Sequence, residues 1–296
     1  MIQLPYIEPV FRPPSEARSL ILQVTNGCSW NNCTFCDMYT QAQKRFRLKP
    51  QEEIEQELAS VAITGIPIHR IFLADGDAMT LSFRRLKLIM KAINRYLPDV
   101  QRVSSYCLPR NLKKKTAAEL AELNELGLTL FYVGCESGDN LVLERVNKGE
   151  NFDSSLAALR KIKAAGAHSS VMILNGMGGK CYSKQHAVNS ARLMNEAQPE
   201  YLSTLVVSFP KGMERYQQGF RGEFEALDKN DLFQEMFWLL DALDLENTIF
   251  RSDHASNYLI LKGTLNADKP RLLETVRAAL DHPGTVPLRQ EWMRGL

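Results

Sequence analysis

The chain has 296 residues, 36 of them basic and 34 acidic, for a net charge of +2; that length fills one large α/β domain or two ordinary ones. A balance so near neutral argues against a broad nucleic-acid surface and leaves only local basic runs. No apolar run approaches the roughly eighteen residues of a membrane span, and Met1-Ile-Gln-Leu-Pro-Tyr6 has neither the basic start nor the apolar core of an export signal, so a cytoplasmic protein with reduced cysteines is expected.

Residues 1–18 carry Pro5, Pro9, Pro13 and Pro14 and read as an extended N-terminal arm. Ser19–Thr25 is an apolar run with the length and bounds of a strand. It leads into Gly27-Cys28-Ser-Trp-Asn-Asn-Cys33-Thr-Phe35-Cys36, which gathers three of the six cysteines within nine consecutive positions. A basic run, Lys44–Lys49, follows; it reads as a solvated face or as a contact for an anionic substrate or polynucleotide. Pro50 marks the start of a helix over Gln51–Leu58.

From there a regular rhythm sets in. Strands are expected at 69–74, 101–107, 128–133, 168–174 and 201–208. Helices are expected at 81–96, 116–126, 140–146, 153–165 and from a capping Ser183 to Ala197. Glycines closing helices, with strands directly after them, mark repeated βαβ units. With the first strand they predict an α/β core over residues 19–210: a partial (β/α)6 TIM-like barrel of parallel strands, followed by a C-terminal α+β extension over 211–296. Right-handed crossovers place all β-to-α loops on one rim, where such folds gather their active sites. That rim would carry the cysteine loop, Asp75–Asp77, Cys107, Glu136 and Asn175–Gly179.

Thiolates are soft ligands that suit iron–sulfur clusters and zinc. Three ligands would leave one metal position open for chemistry. Zinc in a closed structural site needs a fourth ligand, and no histidine lies near the loop. A disulfide lacks the secretory context. The loop resembles the cluster-binding loop of the radical S-adenosylmethionine (SAM) superfamily, in which an aromatic residue precedes the last cysteine, here Phe35; the usual first gap is three residues and here it is four. The resemblance covers roughly residues 19–210. It implies a [4Fe–4S] cluster on Cys28, Cys33 and Cys36, with SAM on the open iron. Asp75-Gly76-Asp77 is similar to the motif holding the methionine amino group, with Asp75 in place of the family's first glycine. Glu136 stands where a polar residue meets the ribose or the amino-acid end, and Lys148 stands where a basic residue, often arginine, faces the carboxylate. Ser104 and Tyr106, sharing one strand face, are candidate ribose contacts, and Asn175-Gly-Met-Gly-Gly179 is a candidate approach to adenine. In that family, reductive cleavage of SAM yields a 5′-deoxyadenosyl radical that takes hydrogen from the substrate, with an electron donor such as flavodoxin or ferredoxin.

Beyond Pro210 the sequence becomes glycine- and charge-rich to residue 226, and a helix is expected from Asp231 to Leu243. Phe250–Gly263 is dense in polar groups. Arg251, Asp253, His254, Asn257 and Tyr258 read either as substrate contacts or as groups that satisfy one another at a seam. Cys107 and Tyr258 are candidates for returning a hydrogen atom to a product radical, and Cys135 reads as a packed core thiol. A terminal helix follows from Lys269 to Leu280. No cobalamin-binding or RNA-binding module is expected beside the core, which favours a small-molecule substrate over nucleic acid. A carrier of an iron–sulfur cluster and a zinc-stabilised binding module are the competing classes.

Overall fold

The computed structural model describes residues 4–295, so the first three residues of the expected arm lie outside the described residues. Along the chain run β1 (Leu20–Gln23), β2 (Thr25–Asn26), β3 (Arg47–Leu48), α1 (Gln51–Ile63), β4 (Arg70–Ala74), α2 (Phe83–Tyr96), β5 (Arg102–Cys107) and α3 (Ala117–Glu125). Next come β6 (Leu128–Glu136), α4 (Asn140–Arg145), α5 (Phe152–Ala164), β7 (His168–Asn175), α6 (Gly179–Ala197) and β8 (Tyr201–Val206). The remainder contains α7 (Glu214–Gly219), α8 (Lys229–Ala242), β9 (Ile249–Ser252), β10 (Leu261–Thr264) and α9 (Lys269–Asp281). Eight strands share one sheet in the order β1-β4-β5-β6-β7-β8-β9-β10, while β2 and β3 pair separately. The pairs β1–β4, β4–β5, β5–β6, β7–β8 and β8–β9 are parallel, and β10 runs antiparallel to β9. This α/β topology is that of a partial TIM-like barrel.

Two compact units divide the chain. The first comprises the described residues up to Asn31, Met38–Val133 and Arg160–Ser169. Its helix α2 shows why the rhythm is readable. Ser82 accepts a hydrogen bond from the Arg85 N–H as N-cap, and Leu86, Ile89, Met90 and Ile93 recur on one fully buried face. Each such side chain contributes about 1.5–3 kcal/mol over leaving it exposed. Thr116 and Glu119 form the reciprocal capping box that starts α3. The arm is fastened by Glu16, whose buried carboxylate accepts from the Tyr132 hydroxyl at 2.6 Å and from Arg102 at 2.7 Å.

The second unit comprises Asn32–Asp37, Gly134–Leu159 and the described residues from Ser170 onward. Here several boundaries differ from those expected. Helix α6 starts at Gly179, a full turn before Ser183. Ser183 is not its cap, because the hydroxyl leaves the helix to donate to Glu235. Asp228 caps α8, with Asp231 as its capping-box partner and not the first residue. The glycine-rich stretch after Pro210 contains the short α7. The six expected parallel strands are joined by a seventh, β9, and by the antiparallel β10, whose buried Phe250, Ser252 and Leu261 are few among polar neighbours.

Candidate cofactor site

In the first unit the site grows from the end of β1. Gly27 has φ +70°, and a Cβ there would stand 2.0 Å from the Lys44 carbonyl oxygen, so only glycine fits. Cys28 follows, half-buried. Asp75 and Asp77, just beyond β4, reach back to either side of it. The Asp75 Oδ2 accepts the Gly27 N–H at 3.2 Å. The Asp77 Oδ2 accepts the Ser29 N–H at 3.2 Å and the Ser29 hydroxyl. The two carboxylates therefore bracket the first cysteine.

Gly76, between them, faces the Tyr39 ring, which a Cβ would meet at 2.3 Å. Both aspartates are fully buried, and each keeps one buried oxygen, Oδ1, without a hydrogen-bond partner. Burial pushes the Asp77 carboxyl upward, against the Ser29 and Asn111 hydrogen bonds that favour its charge.

Lys44 is the residue that sequence reasoning missed. Far from lying on a solvated face or a polynucleotide surface, it is buried, ion-paired with Asp75 and bonded to the Ile7 carbonyl at 2.8 Å. Lys49 pairs with Glu57, and in the basic run Lys113–Lys115 the last residue is buried on the carbonyls of Met79 and Asn111 while the first two are exposed. Composition cannot distinguish a lysine that finds a buried acid from one that stays in water.

On β5, Ser104 is buried, with its hydroxyl 3.5 Å from the Ile71 carbonyl. Tyr106 packs edge-on against Phe72 at 5.1 Å. Cys107 is buried, and its thiol lies 3.4 Å from the Leu108 carbonyl.

The second unit carries the rest of the cysteine loop. Cys33 is buried and Cys36 half-buried. The Thr34 N–H donates to the Val146 carbonyl at 3.0 Å, and the Asn147 amide donates to the Asn32 carbonyl at 3.2 Å. Phe35 packs against an apolar cluster of Val142, Val146, Met177, Tyr216, Phe220 and Phe224. The Lys148 ammonium stands 5.6 Å above the Phe35 ring and 3.0 Å from Glu136 Oε1. Burial works to strip Lys148 of its proton, but the charges of Glu136 and Cys33 outweigh it and raise its pKa. Glu136 ends β6 with φ +65°, an uncommon conformation for a residue with a side chain. A Cβ on Gly134 would fall 2.2 Å from Glu136 Oε1, so that glycine clears the space for the pair.

Asn175 ends β7, buried, with Oδ1 unpaired. The next residue is held from α8: Glu235 accepts the Gly176 N–H and the Ser183 hydroxyl, both at 2.6 Å. His186 lies 3.9 Å from Glu235 and bonds Ser137 at 2.7 Å. Asn175 also lines a cavity of about 20 Å³ with Ser252, Asn257 and Tyr258, room for a single water.

The polar stretch before β10 is largely tied up by the tail. Asn257 binds the Thr204 carbonyl and the Val206 N–H, and His254 binds Ser256. Asp253 pairs with Lys262, and Arg251 bonds the Phe250 carbonyl. Tyr258 lies under Arg294. Arg289, which the sequence did not single out, donates to the carbonyls of Asp253, His254 and Asn257.

Burial raises the Glu235 carboxyl from 4.5 to about 7 and lowers the His186 imidazole from 6.5 to about 4. Glu235 then holds a proton in the folded chain that the unfolded chain releases, and removes stability as pH rises from 4.5 to 7. His186 lacks in the folded chain a proton that the unfolded chain binds, and adds stability as pH rises from 4 to 6.5. The slopes oppose each other where they overlap. Glu235→Gln removes one of them, so the variant should lose stability relative to wild type as pH falls from 6.5 to 4.5. Urea midpoints at those two pH values test this, and parallel profiles for the two proteins would contradict it.

The donor chemistry of the loop is three thiols, a set suited to iron and sulfide. Among the described residues no group of three histidine, cysteine or acidic side chains is arranged to hold a single metal ion. A [4Fe–4S] cluster asks for no such convergence, since each thiolate takes a different iron. The unpaired oxygens of Asp75 and Asp77 suit the donors of an ammonium group. The residues fit the group.

The model of the radical SAM superfamily matches residues 22–193. The chain belongs to that superfamily, whose enzymes use a [4Fe–4S] cluster and SAM. It is 25% identical over 170 residues to the heme chaperone HemW of Bacillus subtilis (strain 168), covering 54% of this chain and 43% of HemW. It is 22% identical over 227 residues to the threonylcarbamoyladenosine tRNA methylthiotransferase MtaB of Rickettsia prowazekii (strain Madrid E), covering 73% of this chain and 52% of MtaB. The chain thus spans about half the length of the curated relatives it matches. Coproporphyrinogen III oxidase (HemN) from Escherichia coli aligns with TM-score 0.57 and 17% identity over 75% of this chain and 52% of that one, a likeness of fold. Among the described residues no helix is long and apolar enough to cross a membrane.

Proposed function

We propose that this chain is a radical SAM enzyme in which Cys28, Cys33 and Cys36 hold the cluster and a small molecule is the substrate. The observation that carries the reading is the bracketing of Cys28 by Asp75 and Asp77, each with one buried oxygen left for a ligand. When bound, the cluster and SAM supply reductive cleavage and hydrogen abstraction from an unreactive carbon.

The chain's own residues bind and orient. Asp75 and Asp77 fix the loop with one oxygen and accept the methionine ammonium with the other. Lys148, held as an ammonium against Glu136, faces the carboxylate. Asn175 offers its free carbonyl oxygen to the adenine or ribose end, on a loop that Glu235 steadies. Phe35 and the apolar residues around it keep water from one side of the loop, which matters because a carbon radical takes hydrogen from whatever it meets. A small substrate is favoured over a polynucleotide because the net charge is only +2 and the basic runs are broken up: Lys44 and Lys115 are buried and Lys49 pairs with Glu57, which leaves Arg45, Arg47, Lys113 and Lys114 exposed. Flavodoxin or ferredoxin is the class of reductant.

The test is anaerobic reconstitution with iron and sulfide, reduction with dithionite, addition of SAM and an assay for 5′-deoxyadenosine. Nucleoside formation with a visible cluster is expected. Colourless protein retaining one zinc would overturn the reading, and a cluster that never binds or cleaves SAM would leave a carrier instead.

A further inference from the structure

Helix α7 lies beyond residues 22–193, the part that matches the superfamily, yet it touches the cysteine loop directly. One guanidinium nitrogen of Arg215 donates to the Cys33 carbonyl at 3.1 Å, and the other lies 3.2 Å from the Asp37 carboxylate. Its two arms thus hold the two ends of the stretch Cys33–Asp37, within which Cys36 falls in sequence. A planar fork can hold a carbonyl and a carboxylate together, which an ammonium on a flexible stem does less well.

Arg215 is half-exposed, with 46% of its side chain open to solvent, but the helix beneath it is pinned. Tyr216 is fully buried, donates to the Met177 carbonyl and packs on Phe209 and Phe224 with ring centres 4.7 Å away. Gly219 lies so near Arg145 that a Cβ would stand 2.0 Å from its carbonyl oxygen. The cation is delivered to the loop by a fixed element.

We propose that Arg215 is a positioning residue that holds the Cys33–Asp37 turn and sets the reduction potential of the group bound there. The proposal rests on the assignment of the cluster to Cys28, Cys33 and Cys36. Reduction adds one electron to an assembly already carrying thiolate charge, so a cation fixed on the backbone of Cys33 favours the reduced form; charge and hydrogen bonding around the sulfurs are the protein's levers on such potentials. Asp37 opposes part of that effect while holding the fork in place.

The experiment uses the full chain, reconstituted anaerobically as wild type, Arg215→Gln, Arg215→Lys and Asp37→Asn. Iron content and circular dichroism are read first, then redox titration followed by electron paramagnetic resonance, then the rate of iron loss to a chelator. At the wild-type midpoint, Arg215→Gln should lower the ratio of reduced to oxidised cluster by about two- to fivefold, the range for a half-exposed charge. Arg215→Lys should restore the ratio yet lose iron faster than wild type, because charge returns without the fork. Asp37→Asn should raise the ratio. Arg215→Gln titrating with the wild type would overturn the proposal. Should that variant fail to fold, Asp37→Asn decides, and an unchanged potential there overturns it. A wild-type protein that takes up no cluster defeats the cysteine assignment before any variant is compared, so the two failures are distinguishable.

Discussion

Cys33→Ala should bring bound iron and 5′-deoxyadenosine formation down to the level of protein never reconstituted, while the fold survives. A cluster held by Cys28, Cys33 and Cys36 would be left with two of its three protein thiolates. The substitution removes one sulfur from a side chain that is 9% exposed; a change that small costs about 1 kcal/mol, well below the stability of a domain. Loss of iron with retained circular dichroism therefore reports ligation. The other cysteines supply the contrast. Cys135 is fully buried, and burial pushes its thiol up to about 12, so it stays protonated at neutral pH and is a poor ligand. Cys135→Ala and Cys107→Ala should keep both iron and nucleoside formation. Iron retained by Cys33→Ala, or lost by Cys135→Ala, would show that the ligands have been misassigned.

Lys44→Met should destabilise the protein by about 3–5 kcal/mol, the range for removing one partner of a buried ion pair. Neither Lys44 nor Asp75 has any side-chain exposure. Methionine fills most of the space but leaves the Asp75 carboxylate charged in an interior that cannot solvate it. The damage would reach the cofactor site, because the same Asp75 oxygen accepts the Gly27 N–H and the Gln23 amide. Lys44→Met together with Asp75→Asn should recover much of the lost stability, since the uncompensated charge goes with it. Chemical denaturation of the two single variants and the double variant gives the coupling directly. A lysine that merely covered the surface would lose little on substitution and show no coupling to Asp75.

How far the sequence could be read depends on how far apart interacting residues lie. Thr116 and Glu119 announce a helix start because both halves of the signal sit within one turn. The cysteine loop was legible for the same reason, its three thiols falling in nine positions. Asp75-Gly76-Asp77 was legible as a turn that carries acid, but not as a pair of arms closing on Cys28. Lys44 lay hidden in a run of like charges, and Glu235 on a helix face otherwise filled by apolar residues such as Leu232, Phe233, Met236 and Leu239. Ser183 misled because a serine that caps a helix and one that bonds outward from its second turn look alike in sequence. Arg215 belongs to a segment whose glycines and charges concealed a helix of six residues.

The contact between Arg215 and Cys33 joins positions 182 residues apart, and this bears on how the protein matures. All three thiols leave the ribosome early, whereas the aromatic residues and the cation that hold the second half of their loop are made much later. A contact of such long separation carries a loop-closure cost that a local one does not. Until residues 215–224 have been made, the second half of the loop lacks these partners. The native surroundings of that half of the loop are complete only once Phe224 has been added, so a chain cut before α7 should present the same thiols without Arg215, Tyr216, Phe220 or Phe224 around them.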